Sequence, residues 1–174
     1  MSTNGFTLRD EPNQYIDILQ DGMIISRYMY AYDNSTQERL QQTYKPYLHV
    51  FNTEGTTPIT KGAGGHFTHH RGIFIGWNKI EHKAQSYDRW HMTDGEIIHR
   101  KFGEKTATQD FAILSSNTDW NDEKQKPILR EVRHMTFSQP SEDDFRLQID
   151  FQSKLTAVAG NLVLNGDPEH AGVQ

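Results

Sequence analysis

Cysteine is absent from this 174-residue chain, which excludes disulfides, thiol nucleophiles and thiolate zinc sites while leaving the compartment open. No stretch approaches the ~18 consecutive apolar residues that a membrane helix needs. The polar start, Met1 to Pro12, carries no apolar signal core. A basic stripe is missing too. Lys and Arg number 18 against 23 Asp and Glu, interspersed, for a net charge of −5. A nucleic acid phosphate backbone therefore has nothing to grip, and membrane and nucleic acid are both set aside as partners. Helical periodicity is scarce: no window sustains a 3.6-residue period with caps at both ends, although residues 37–42 fit a short helical turn. With no internal repeat and no low-complexity linker, a single domain spanning 1–174 is the economical reading.

What the chain does have is alternation. Phe145-Arg146-Leu147-Gln148-Ile149-Asp150-Phe151-Gln152 switches between apolar and polar without a break, the pattern of a strand with one wet face. Further strand candidates lie at residues 15–19, 23–32, 47–52, 73–80, 96–102, 110–115, 129–137 and 155–158. Turn residues separate them, among them Asp21-Gly22, Thr93-Asp94-Gly95 and Gln139-Pro140-Ser141. Many strands joined by short turns predict an all-β fold, an antiparallel β-sandwich of the supersandwich or jelly-roll kind. Residues 161–170 read as a strand and a turn, and Ala171-Gly172-Val173-Gln174 as the opening of another strand. The expectation is a portion of a larger sandwich whose C-terminal part is missing from this sequence.

Chemistry concentrates in Gly64-Gly65-His66-Phe67-Thr68-His69-His70-Arg71-Gly72, ahead of the apolar run Ile73-Phe74-Ile75-Gly76-Trp77. Three imidazoles and a guanidinium in six residues are costly to desolvate, and packing gives no reason to crowd them at the mouth of a core strand. An extended segment would point His66, Thr68 and His70 one way and His69 and Arg71 the other, whereas the glycines favour a loop in which they converge. Three uses compete with a plain structural loop. Two or three imidazoles with a carboxylate such as Asp94, Glu96 or Glu169 could hold a divalent metal, although no helix is predicted there to present a His-x-x-x-His pair. Imidazole could exchange protons with a sugar while Arg71 grips a substrate carboxylate. The third use is noncatalytic sugar binding.

Other candidates are weaker. Trp77 and Trp90 are possible stacking platforms, though tryptophan is more often packing. His99, in Gly95-Glu96-Ile97-Ile98-His99-Arg100, lies on a predicted strand as either a solvated or a functional histidine. Glu131 and Arg133 share a strand face and read as an ion pair of small value, with His134 on the other face. Asp167, Glu169 and His170 follow a turn and could complete a site. Tyr44, Tyr47 and Tyr87 are possible proton donors that spacing does not separate.

The string His66-Phe67-Thr68-His69-His70-Arg71-Gly72-Ile73-Phe74 resembles the His-Pro-His-His-Arg-Gly-Leu-Trp signature of the bacterial methane oxygenase PmoA-like family. Lys45-Pro46-Tyr47 is similar to that family's Arg-Pro-Tyr, and Thr57-Pro58-Ile59-Thr60 sits where it has a short segment ending in Val-Thr. Gly95 to Arg100 resembles its Gly-x-Ile-x-His-Arg, Glu131-Val132-Arg133 its Glu-x-Arg, and Asp167 to Gly172 its acidic turn. Phe67-Thr68 in place of the usual Pro, and His170 inside the acidic turn, are departures. A membrane methane oxygenase is not implied, because no spanning segment is present. The resemblance implies a β-sandwich similar to mutarotase-like and polysaccharide lyase folds, among bacterial carbohydrate-degrading systems, with a periplasmic or extracellular location favoured on that ground alone.

Together these readings predict a lyase or dehydratase that eliminates across C4 and C5 of a uronic-acid-containing oligosaccharide. His69 or His70 would be base or acid, Arg71 the carboxylate clamp, and His99 or a tyrosine would complete proton transfer. His66, Trp77, Trp90, Glu169 and His170 would bind substrate. No organic cofactor is required, and a divalent metal could replace part of the clamp. The competitors are a noncatalytic module using Trp77 and Trp90, and a metal-dependent oxidoreductase or hydrolase using His66 and His70.

Overall fold

Alternating burial sets the architecture of this chain, whose computed structural model describes residues 5–141 and 145–174. β1 (Phe6–Glu11), β2 (Tyr15–Gln20), β3 (Met23–Met29) and β4 (Tyr47–Val50) make an antiparallel sheet in that order, with helix α1 (Gln37–Thr43) between β3 and β4 in the chain. β5 (Ile75–Trp77), β6 (Lys79–His82) and β7 (Gln85–Tyr87) are short. β8 (Ile97–Ala107), β9 (Phe111–Asn121), β10 (Pro127–Ser138) and β11 (Gln148–Ala157) form a second antiparallel sheet in sequence order. β12 (Val163–Asn165) pairs with β6, which also pairs with β7, and β13 (Ala171–Val173) pairs with β5.

The two large sheets face one another, so the fold is an antiparallel β-sandwich. Ile16, Ile18, Tyr28 and Leu48 of the first sheet meet Ala112, Leu114, Met135 and Phe137 of the second. Burying a large apolar side chain contributes about 1.5–3 kcal/mol, against about 0–1 kcal/mol for an exposed ion pair, so this contact dominates cohesion between the layers. Ile75, Ile80, Ile97, Trp120 and Leu129 build a second cluster that carries the short strands. A third, Tyr47, Phe74 and Trp90, lies beneath the histidines. At the β2–β3 hairpin Asp21 and Gly22 have φ of 51° and 83°, as a two-residue turn with both central residues left-handed requires. Asp21 also accepts the Gly5 N–H at 2.7 Å.

Four readings of the sequence are corrected here. Residues 73–80 are not one strand, because Asn78 donates from its backbone to His170 O at 2.9 Å and from its amide to Asp167 Oδ2 at 2.6 Å, turning the chain between β5 and β6. Phe145 to Leu147 lie outside the sheet, and the alternation instead runs from Gln148 through Ala157 as one strand. β1 and β7 were not anticipated. The Glu131–Arg133 pair is not a low-value surface contact. Both residues are 1% exposed, and Glu131 also accepts from Thr118, Trp120 and Ser153 at 3.0, 2.9 and 2.8 Å. Among the described residues no helix is long and apolar enough to cross a membrane.

Candidate functional site

The histidine loop is organised from within by a lysine. Lys61 Nζ donates to the carbonyls of Gly62, Gly64, Phe67 and His70 at 3.2, 2.6, 2.9 and 3.0 Å. Gly72 then re-enters the sandwich at φ +48°, where any β-carbon would collide with the Leu48 carbonyl. The neighbouring Ile73 exchanges two 2.9 Å backbone bonds with Leu48. That is the physical reason for glycine at position 72, at the end of the loop.

Arg71 does not reach the solvent as a clamp. It is 1% exposed and lies 4.3 Å over the Tyr44 ring. Its Nε donates to Thr68 O at 2.9 Å, Nη1 to Gln42 O at 2.9 Å and Nη2 to Gln41 O at 2.8 Å. Those last two carbonyls belong to the open end of α1, where a helix leaves acceptors unsatisfied and favours a cation. The guanidinium therefore ties α1 to the loop, and its donors are occupied by backbone, which overturns the carboxylate-clamp role expected from the sequence.

Four imidazoles form a row. Ring centroids are 4.3 Å apart for His70 and His69, 4.6 Å for His69 and His91, and 4.9 Å for His91 and His170. Two rings are anchored by carboxylates: His91 Nδ1 lies 2.8 Å from Asp88 Oδ2, and His170 Nδ1 lies 2.6 Å from Asp167 Oδ1. His70 Nδ1 sits 2.6 Å from the Gln174 side-chain amide, just beyond β13. Such contacts fix ring orientation and leave Nε2 as the working atom. Asp88 is itself fixed, accepting from the backbone of Trp90 and His91 at 2.9 and 2.7 Å.

The row has a low-polarity backing. Trp90 is 3% exposed, with its ring 4.9 Å from Phe74 and 5.8 Å from His170. Lys45, also buried, donates to Trp90 O at 2.8 Å and stands 3.3 Å from the Phe74 ring centre. Burial, with His70 and His91 alongside, pushes the His69 imidazole down to about 4, so that it is unprotonated at neutral pH. Burial and the nearby Lys45 also lower His70. Beside His69 and His91 opens a cleft of about 440 Å³, whose walls include Gln37, Gln41, Tyr44, Thr68 and Glu96. Of the three candidate tyrosines Tyr44 alone lines this cleft, with its ring buried under Arg71; Tyr47, also buried, lies outside it, and the Tyr87 hydroxyl donates to Gln85 at 2.7 Å.

Several expected residues lie elsewhere. His66 is exposed, its ring packed on Phe67 at 4.5 Å, and stands outside the row. His99 belongs to a polar strip between the sheets, with Nδ1 2.7 Å from Ser116 Oγ and its ring 4.8 Å from Tyr30, so it does not join His69 and His70. Burial, followed by the charge of Arg133, lowers it to about 4. Trp90 is covered and cannot stack a sugar. Trp77 is half-buried, 6.0 Å from Trp120, and supports the second core cluster. Glu169 is exposed on the turn. Asp94 is held by Arg89 at 2.7 Å, and Glu96 accepts from Gln125. Among the described residues no three His, Asp or Glu side chains are grouped to hold one metal ion.

His91 and Asp88 were not singled out from the sequence, whereas Asp167 and His170 were read there as a turn that could complete a site. A signal did exist: Asp88-Arg89-Trp90-His91 and Asp167-Pro168-Glu169-His170 share the spacing Asp-x-x-His, which lets a carboxylate closing a turn meet the ring three residues on.

Comparison with known proteins assigns a family but no activity. No curated protein and no solved structure matches the chain. A family of unknown function, DUF6807, matches residues 15–174, and the chain belongs to it.

Proposed function

We propose that this member of a family of unknown function is an acid–base enzyme acting on a saccharide at the cleft beside His69 and His91, with β-elimination the reaction. The observation that carries the reading is the pairing of an unprotonated imidazole, His69, with one oriented by a carboxylate, His91, on a shared polar wall. His69 removes a proton from carbon, and the electron pair released forms the double bond. The carbon–oxygen bond then breaks, and His91 supplies a proton to the departing oxygen while Asp88 carries the counter-charge. Tyr44 and Glu96 line the same cleft as hydrogen-bonding partners for hydroxyls. The saccharide class follows from the sequence resemblance and from this hydroxyl- and amide-rich lining. With Arg71 occupied, a uronate carboxylate would be met by neutral donors of the cleft wall, the Gln41 amide and the Thr68 hydroxyl.

A noncatalytic aromatic-platform module draws less support, because Trp90 is buried and Trp77 half-buried. The test is incubation with uronate-containing oligosaccharides, watching for a conjugated product in the near ultraviolet. The expected result is product from the wild type and none from His69→Gln. Absence of product from folded wild type across polymers and oligomers would refute the proposal.

A further inference from the structure

Arg100 and Lys101 are neighbours in β8, yet both side chains line one cleft. In a regular strand they would point to opposite faces. The pairing of β8 with β9 skips here: His99 pairs with Thr118 and Lys101 with Asn117, leaving Arg100 without a partner. A bulge of this kind adds one residue and re-aims a side chain. The cleft it creates, about 500 Å³, is also lined by Asp119, Arg130, Val132 and Val158.

The cations are arranged, not merely present. Asp119 accepts from Arg100 Nε at 2.8 Å and stands 3.6 Å from the exposed Arg130 Nε, so one carboxylate fixes Arg100 and draws Arg130 toward the same cleft. Among the described residues the terminal nitrogens of both guanidinium groups have no hydrogen-bond partner, and these are the paired donors that match a carboxylate. Three cations against Asp119 leave a positive excess on a chain whose net charge is −5. Glu131, the other acid of the cleft, is buried and paired with Arg133 at 2.9 Å. Val132 and Val158, 43% and 40% exposed, supply an apolar strip beside the charges. Forked donors flanking an apolar strip suit a sugar ring, which presents a carboxylate at one edge and C–H groups on its face.

We propose that this bulge cleft is a binding site for a carboxylate-bearing polysaccharide chain. It is composed of residues other than the histidine row and holds substrate polymer rather than transforming it. The choice of a saccharide rests on the acid–base reading of the histidine row. Binding itself does not need that chemistry, so the two ideas can fail separately.

Affinity electrophoresis in gels containing polygalacturonate tests it, with the methyl-esterified polymer as the uncharged match. Polygalacturonate should retard His91→Ala, in which the polymer survives uncleaved, less so as salt is raised, and the ester should not. Arg100→Gln combined with Arg130→Gln should weaken retardation at least about tenfold. Lys101→Gln, which leaves the Asp119 contacts untouched, should weaken it to a smaller degree. Melting temperatures of the variants near wild type confirm that the sheet is intact. Equal retardation by the ester, unchanged mobility of the double and Lys101 variants, or displacement by polyglutamate as effective as by polygalacturonate would overturn the proposal. Retardation of His91→Ala without product from wild type would sink the acid–base reading and leave this one standing.

Discussion

Asp88 Oδ2 lies 2.8 Å from His91 Nδ1, and the other carboxylate oxygen of Asp88 accepts the backbone N–H groups of Trp90 and His91. One side chain thus sets both the path of the chain and the orientation of the ring. Replacing His91 by Ala should lower the rate of saccharide elimination by about 10²- to 10⁴-fold, the usual range for loss of a general acid or base. Asp88→Asn should also slow the reaction, through a misassigned tautomer, while KM stays near its original value. Steady-state kinetics on both variants, with melting curves as the control, would show this. A rate unaffected by His91→Ala removes His91 from the chemistry.

Arg71→Ala should destabilise the fold rather than weaken substrate binding. Truncation leaves the carbonyls of Thr68, Gln41 and Gln42 without their donor, at a cost of about 3 kcal/mol. Urea melts should therefore shift strongly. A normal melt with a raised KM would restore the clamp role.

Stability should fall as the solution is acidified from about pH 6.5 toward 4. His69 and His99 are held down to about 4 in the folded chain by burial, so the unfolded chain binds protons first. The neutral-imidazole contribution is fully present above the unfolded value near 6.5. It is lost as pH drops to the folded value. Thermal melts across this range should slope downward with acid, and the combined His69→Gln and His99→Gln variant should flatten the slope. A wild-type melting temperature constant between those pH values contradicts the expectation.

Glu131→Gln should cost about 3–5 kcal/mol, because it strands the buried Arg133 charge. Chemical denaturation would measure the loss. Wild-type stability in that variant would mean that the pair carries little of the fold.

The strand framework was legible because its cause is local. In β10, Leu129, Glu131, Arg133, Met135 and Phe137 face inward at every second position, and the register follows from that period. β1 escaped notice because its outer half, Arg9-Asp10-Glu11, is exposed and charged. The site was half legible. His69 and His70 announce themselves by crowding and His170 by its acidic turn, but His91 does not, and the row forms only because the pairing of β13 with β5 and the Asn78 contacts bring the loops together. Nothing local distinguishes an arginine that grips a ligand from one that closes a helix end. Arg71 was misread because its partners, Gln41 and Gln42, lie about thirty residues upstream.

Lys61 encircled by four carbonyl oxygens resembles an alkali ion inside a crown ether. The bend bearing His69 and His70 carries its own tethered cation. An incoming molecule therefore meets a preset contour and forfeits little entropy in shaping it, and acylation of that one amine would be expected to let the contour collapse.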